Sequence, residues 1–174
     1  MPDRQLETER LILRRLTLDD ARFMLGIWND PAFIRNVRDR GIRTEEQAVA
    51  ALQTGALSLY AEYGYGPYVM VRRSDGTEIG ICGLFKRENL ADPDIGFGVL
   101  PEYCGQGYAS EAAFEVLAHT RDVLGIDNLA AIVSPENAPS IALIEKLGLR
   151  FDRKFTMPGD DEAVLLYSRN LSRE

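Results

Sequence analysis

The chain has 174 residues, 45% of them hydrophobic and 27% charged, which suits one domain with a real core and is too short for two comfortable ones. With 27 acidic against 20 basic residues the formal net charge is −7, which argues against a general electrostatic footprint for nucleic acid and favours amine-bearing partners, weakly at cellular salt. No apolar run is long enough to span a membrane, Met1 to Arg15 carries charges where a leader would be apolar, and one histidine with two scattered cysteines offers no metal set; the expectation is a cytoplasmic protein with no membrane, nucleic acid, metal or disulfide in its chemistry.

Residues 1–9 are polar and read as loose chain ahead of a first strand at Arg10 to Leu16. Thr17-Leu18-Asp19-Asp20 has the spacing of a capping box and predicts a helix to about Trp28, where Asn29-Asp30-Pro31 breaks it. Phe33 to Gly41 is a short mixed segment rich in arginine. Thr44-Glu45-Glu46-Gln47 is a second capping box, and the helix behind it is expected to reach about Tyr63, weakened at Gly55. Tyr60, Tyr63, Tyr65 and Tyr68 cluster next, either as an aromatic wall for a substrate or, with more weight, as packing of a helix end on a sheet. Pro67 to Arg73 and Thr77 to Phe85 read as two strands joined through Asp75-Gly76, a hairpin signal.

After a polar loop comes the most informative stretch, Asp94 to Glu111. Ile95 to Leu100 is a short apolar run fit for a buried strand, Pro101 to Gly107 is turn-rich, and a helix starts at Tyr108. A helix start leaves backbone N–H groups without partners and carries partial positive charge, and glycines let a ligand approach them closely. The order therefore predicts a phosphate or pyrophosphate site. It is not a P-loop, because Tyr108-Ala109 follows the second glycine instead of Lys-Ser/Thr. It is not a dinucleotide fingerprint either, because Ser110 stands where a third glycine is needed.

The rest of the chain is regular. The helix from Tyr108 has apolar residues at 3–4 spacing and stops at Gly125, with His119 expected on its rim. Asn128 to Ser134 reads as a buried strand. Asn137 or Ala138 caps a further helix with a proline in its first turn, ending near Gly148. Leu149 to Phe155 and Ala163 to Arg169 read as a closing antiparallel pair around Pro158-Gly159-Asp160-Asp161.

The run Cys104-Gly105-Gln106-Gly107-Tyr108-Ala109 resembles the acetyl-CoA pyrophosphate loop of the GNAT N-acetyltransferases. Tyr103 to Ala112 and the opening phrase Leu6 to Arg14 resemble the RimJ/RimL branch, which acetylates ribosomal-protein N-termini. Asn137, Ser140 and Glu145-Lys146-Leu147-Gly148 are similar to the family's second signature, with Ile144 where many members carry a tyrosine and Leu149 in place of phenylalanine.

The resemblance implies an α/β fold in a single domain over 1–174, with a mixed central sheet of about seven strands and helices on both faces. It implies an acetyl-CoA-dependent acyltransferase acting on a primary amine, either a protein N-terminus or a small molecule, as a monomer or homodimer. Gly105, Gln106, Gly107, Tyr108, Ala109 and Ser110 would hold the pyrophosphate, Asn137 would touch the carrier from the second helix, and backbone groups at Phe97 and Val99 would hold the pantetheine and the thioester carbonyl. Asp94 is the candidate base, ahead of Glu88 and Glu62, and Ser140 the candidate acid. Two rivals are a non-catalytic acyl-CoA sensor on the same fold and a nucleotide-binding domain of another kind.

Overall fold

A computed structural model of the protein describes residues 5–173. Eight strands form one sheet in the order β1-β2-β3-β4-β5-β6-β8-β7: β1 (Leu6–Glu7), β2 (Leu11–Arg15), β3 (Pro67–Arg72), β4 (Glu78–Phe85), β5 (Asp94–Val99), β6 (Asn128–Val133), β7 (Arg150–Thr156) and β8 (Ala163–Asn170). Every neighbouring pair is antiparallel except β5 with β6. The sheet has one strand more than the expected seven. The addition is β1, whose Leu6 and Glu7 pair with Leu13 and Ile12 in a stretch read as loose chain; the first four residues of that stretch lie outside the described residues. Two residues are too few to show a period, so nothing local marks them as strand.

Helices cover both faces, as expected. α1 (Ala21–Trp28), α2 (Pro31–Asn36), α3 (Glu45–Thr54) and α4 (Ala56–Tyr63) lie on one; α5 (Tyr108–Asp122) and α6 (Ala138–Lys146) lie on the other. The two capping boxes form: Thr44 Oγ1 accepts from the Gln47 N–H at 3.1 Å while Gln47 Oε1 accepts from the Thr44 N–H at 3.2 Å, and Thr17 and Asp20 exchange the same pair of bonds. The Thr17 box starts with a 3₁₀ turn, Leu18–Asp20, before α1. The arginine-rich segment is helical where Asp30 Oδ2 caps Phe33 and Pro31 sits in the first turn. The helix predicted as far as Tyr63 is two helices meeting at Gly55, whose ψ of −100° breaks the helical path.

The core is split by the sheet. Alternate residues of β3 go to opposite faces: Tyr68 and Met70 join Leu11, Leu13, Val116 and Ile144 under α5 and α6, while Val69 joins Met24, Trp28 and Leu52 under α1 and α3. On β4 the pairing skips Ile79 between Met70↔Gly80 and Val71↔Glu78. That bulge turns Ile79 toward the α5 face and Ile81 toward the other. The tyrosine cluster is mostly packing. Tyr65 and Tyr68 are core residues, and the Tyr60 hydroxyl accepts from the Leu16 N–H and donates to the Pro67 carbonyl; only Tyr63 is exposed. His119 is not on a rim: it is buried in α5 beside Thr120. Both cysteines are free, Cys82 buried and Cys104 exposed.

Candidate functional site

β5 is where the sheet opens. Along β4 it is paired from Phe85↔Asp94 to Gly80↔Val99, but along β6 it has a single bridge, Asp94↔Ala130, marked by the Ala130 N–H on the Pro93 carbonyl at 2.9 Å. β6 continues with β8 as far as Val133↔Leu165. Backbone groups of a strand alternate between its two edges. Pro93 faces β6, so Phe97 and Val99 face the same way, beyond the last bridge. Their N–H and C=O groups line the notch between the diverging strands. Both residues are only half-buried, although β5 is central in the sheet.

The open end of that notch leads into the glycine loop. A 3₁₀ turn at Pro101–Tyr103 and the exposed Cys104 bring the chain to Gly105 and Gly107, with φ of +76° and +84°. An L-residue in the left-handed region costs about 1–2 kcal/mol, which explains glycine at both places. Gly107 is the N-cap of α5, and no side chain caps it. The first intrahelical bond is the Glu111 N–H on the Gly107 carbonyl, so the Tyr108, Ala109 and Ser110 amides have no helical acceptor. Gln106 is committed to the loop itself, donating to the Glu102 carbonyl at 3.2 Å. Unpaired amides, the positive end of a 15-residue helix and bare Cα atoms make a cradle for a diphosphate.

What holds the cradle was not found by sequence reasoning. Glu111, one turn into α5, accepts from the Arg10 backbone N–H at 2.9 Å, from Arg10 Nε at 2.8 Å and from the Thr8 hydroxyl. Arg10 also donates to the Gln106 carbonyl at 3.0 Å and lies 4.2 Å over the Tyr108 ring. Burial alone would push the Glu111 carboxyl up, but the bonds from Thr8 and Arg10 outweigh it and hold it below its ordinary value. The link joins the β1–β2 turn to the loop across about a hundred positions of sequence. The one available signal was that Thr8-Glu9-Arg10 belongs to the opening phrase that resembles the RimJ/RimL branch.

Asp94 sits at the closed end of the notch and is not solvated: it is 1% exposed. Arg87 Nε lies 3.1 Å from Oδ1. Burial pushes the Asp94 carboxyl up, and Arg87 pulls in the opposite direction without cancelling the rise. A carboxylate with raised proton affinity that still holds a charge partner is suited to taking a proton near neutrality. The lesser candidates Glu88 and Glu62 are exposed.

On the far side of the notch, Asn137 caps α6: its Oδ1 accepts from the Ser140 N–H at 3.4 Å. The Asn137 NH₂ has no partner among the described residues and is free to donate. Ser140, in the first turn, is half-exposed with its hydroxyl uncommitted among the described residues. Ile144 is in the core, 2% exposed, and supplies neither proton nor hydrogen bond. Ser110 accepts from Lys146 Nζ at 3.3 Å, which ties the first turn of α5 to the last turn of α6. Among the described residues no cluster of His, Cys, Asp and Glu could hold a metal ion.

Comparison with known proteins gives this geometry a family. A family profile described as Acetyltransferase (GNAT) domain matches residues 10–150. An uncharacterized N-acetyltransferase, YoaA of Bacillus subtilis (strain 168), is 31% identical over 148 residues, covering 83% of this chain and 82% of that protein. A GNAT-family acetyltransferase structure from Bordetella pertussis, itself titled putative, superposes with a TM-score of 0.81 at 26% identity, covering 95% of this chain and 99% of that one. A RimL ribosomal L7/L12 α-N-protein acetyltransferase, solved in complex with coenzyme A, shares the fold at a TM-score of 0.83 and 15% identity, covering 98% of this chain and 100% of that one. The chain is thus similar to acetyltransferases in sequence and in fold, and it belongs to the GNAT acetyltransferase family, an acyltransferase enzyme.

Proposed function

We propose that the protein transfers the acetyl group of acetyl-CoA directly to the nitrogen of a primary amine, with residues 1–174 acting as one catalytic domain in the cytoplasm. The observation that carries this is the edge of β5 at Phe97 and Val99, which β6 leaves uncovered and where the Cys104 thiol reaches the Val99 carbonyl, leading into the uncapped amides of Tyr108, Ala109 and Ser110. In this reading Gly105, Gln106, Gly107, Tyr108, Ala109 and Ser110 receive the diphosphate. Phe97 and Val99 pair with the pantetheine arm as a further strand would, and Asn137 donates from α6.

The chemistry then needs a neutral amine, a polarised carbonyl and an exit for the thiolate. Holding amine and thioester together lowers the barrier by as much as ~7–11 kcal/mol. A β5 N–H aimed at the carbonyl oxygen is worth roughly 3–4 kcal/mol if its effect matches that of other oxyanion donors. The amine nitrogen forms the new C–N bond, the tetrahedral centre collapses, and the C–S bond breaks. Asp94 accepts the proton the amine loses. The sulfur leaves as thiolate, which needs no strong acid at an ordinary thiol pKa of ~8.5, or takes a proton from Ser140 as that hydroxyl regains one from solvent. Cys104 carries no acyl group in this scheme: partial desolvation, helped by the nearby Asp30 charge, raises its thiol pKa, and its thiol points at the Val99 and Leu100 carbonyls rather than at a base among the described residues.

We place the protein in the RimJ/RimL-like branch on its opening phrase and loop, which makes a protein N-terminus the first acceptor to try and a small amine the second. Release of free thiol from acetyl-CoA, read against a panel of N-terminal peptides and small amines, tests the proposal. Thiol release with one acceptor class and loss of it in Asp94→Asn support it. Carrier binding with no release from any acceptor would favour the non-catalytic sensor, and absence of carrier binding would end the reading.

A further inference from the structure

The face of β5 turned toward α1 is largely bare. Ile95, Phe97 and Val99 pack on the α5 side, so Asp94, Gly96 and Gly98 alternate to the α1 side, and Leu100 beyond them packs on the cluster that holds Ile81 and Trp28. A Cβ on Gly96 would fall 2.9 Å from the Phe85 ring, whereas a Cβ on Gly98 would meet nothing within 4 Å beyond its own chain neighbours. The sheet is therefore open above Gly98, on the strand whose β6-facing edge forms the notch. Phe85 and Asp94 lie toward one end of the opening and Leu100 toward the other. Glycine inside a central strand weakens it and marks a place where another group comes close.

Arginines gather at the Asp94 end. Arg87 Nε lies 3.1 and 3.3 Å from the two Asp94 carboxylate oxygens, and the guanidinium is 5.7 Å from the centre of the Phe85 ring. The two outer nitrogens of Arg87 have no hydrogen-bond partner among the described residues. Arg40, in the segment between α2 and α3, lays its guanidinium 4.7 Å from the centre of the Trp28 ring. Such stacking orients the planar group and leaves its N–H edge free to donate. Neither Arg40 nor Arg38 has a carboxylate partner among the described residues, and Asp39 between them is held by Arg43 at 2.6 Å. Partial desolvation, followed by the positive charges of Arg38 and Arg87, lowers the Arg40 pKa, so the three guanidinium groups act on one another. Three such groups against the single carboxylate of Asp94, in a protein of net charge −7, favour an anion between them.

We propose that the acetyl acceptor carries a carboxylate a few bonds from its amine, and that Arg40 and Arg87, with Arg38 beside them, hold that carboxylate while the amine enters over Gly98. The inference rests on the acetyl-transfer reading above and narrows its acceptor to an α-amino acid or a peptide whose first residue is acidic. The short separation follows from Arg87. It touches Asp94, the group that takes the proton of the amine, so an anion on the outer nitrogens of the same guanidinium lies near the amine nitrogen. The planar fork of an arginine matches a carboxylate with two parallel bonds. The net charge of the chain favours cationic amines at long range; at the mouth of the site the sign is reversed. Charge-assisted bonds set the size of the preference, about 10- to 100-fold in kcat/KM.

Free-thiol release from acetyl-CoA by the full chain tests this with acceptors paired to differ in one charge: L-amino acids against their own carboxamides, and Asp-Ala-Ala-amide against Asn-Ala-Ala-amide. The carboxamide of an amino acid has the less basic amine, which is more often neutral, so the first pairing works against the expected result. The wild type is expected to prefer the carboxylate member by the factor above, and the pairing that shows it separates a free amino acid from a peptide. In Arg38→Gln/Arg40→Gln the ratio is expected to fall to about threefold or less, while Arg40→Lys, which keeps the charge, retains the preference. Gly98→Leu, which fills the opening, is expected to raise the acceptor KM; an unchanged KM removes the entry over Gly98. Thermal unfolding of each variant shows that it is folded. A wild type that uses the neutral members as well as the acids, or a ratio that survives the double substitution, overturns the inference and leaves acetyl transfer intact. Carrier binding by calorimetry with no release from any acceptor, or no carrier binding, overturns it together with the reading beneath it.

Discussion

Glu111→Gln is the most telling perturbation of the cradle. The glutamine keeps the shape of the side chain but removes the charge and turns one acceptor into a donor. Glu111 takes three bonds, from Thr8 Oγ1, Arg10 N and Arg10 Nε, and the amide can accept only some of them. The Arg10 and Glu111 side chains are 40% and 20% exposed, so solvent screens the pair and each charge-assisted bond belongs at the low end of its range. The expected loss is about 1–2 kcal/mol of stability, or about 2–8 °C in melting temperature for a chain of this size. The folded-state pKa of Glu111 lies below its ordinary value, so its contribution is present above the unfolded pKa and is lost as pH falls through the folded one. Urea unfolding of wild type and variant should therefore show the full gap from neutrality down to about pH 5, closing below about pH 4 as the wild-type carboxylate protonates. Because Arg10 also holds the Gln106 carbonyl, acetyl-CoA affinity should fall several-fold at pH 7. A gap that does not vary with pH, or a variant as stable as wild type at pH 7, would refute the idea that this ion pair braces the loop.

Other substitutions test the site and the core separately. Gly107→Ala places a Cβ at φ +84° and 3.3 Å from Arg10 Nη2; it should cost about 1–2 kcal/mol and weaken acetyl-CoA more than the strain alone, read by urea titration and calorimetry. Asp94→Asn should lower kcat/KM by ~10²–10⁴ and remove the acid limb of the pH–rate profile, a limb expected above the ordinary carboxylate range, while the urea midpoint holds because a buried charge has been removed. An unchanged profile would take the base role away from Asp94. Leu13→Ala, at a fully buried β2 position under α5, should cost about 2–5 kcal/mol with little change in KM for any acceptor once folded, measured by chemical unfolding beside steady-state rates.

Most elements of the fold were legible locally because their signals lie within a few residues. Thr44 and Gln47 announce α3, Asn137 and Pro139 announce α6, and Asp75-Gly76 announces the β3–β4 hairpin, where Gly76 takes φ +73° and its N–H returns to the Arg72 carbonyl. The glycine loop was legible for the same reason, since an uncapped helix start needs only the run from Gly105 to Ser110. Where propensity was ambiguous the reading missed, as at Gly55, where one expected helix is two, and at His119, whose burial depends on what α5 packs against.

The sequence by itself determined most of the strands and helices and which helix start is left open for an anion, because those depend on backbone bonds and caps made between near neighbours; β1 and the break at Gly55 were not among them. Only the tertiary structure decided that β5 and β6 part after one bridge, that Arg87 from the loop after β4 pairs with the buried Asp94, that Glu111 is held by Thr8 and Arg10, and that Lys146 reaches Ser110. Except for the Arg87–Asp94 pair, these contacts join residues that lie far apart along the chain, and in all of them strand order and register, not local pattern, set which side chains meet.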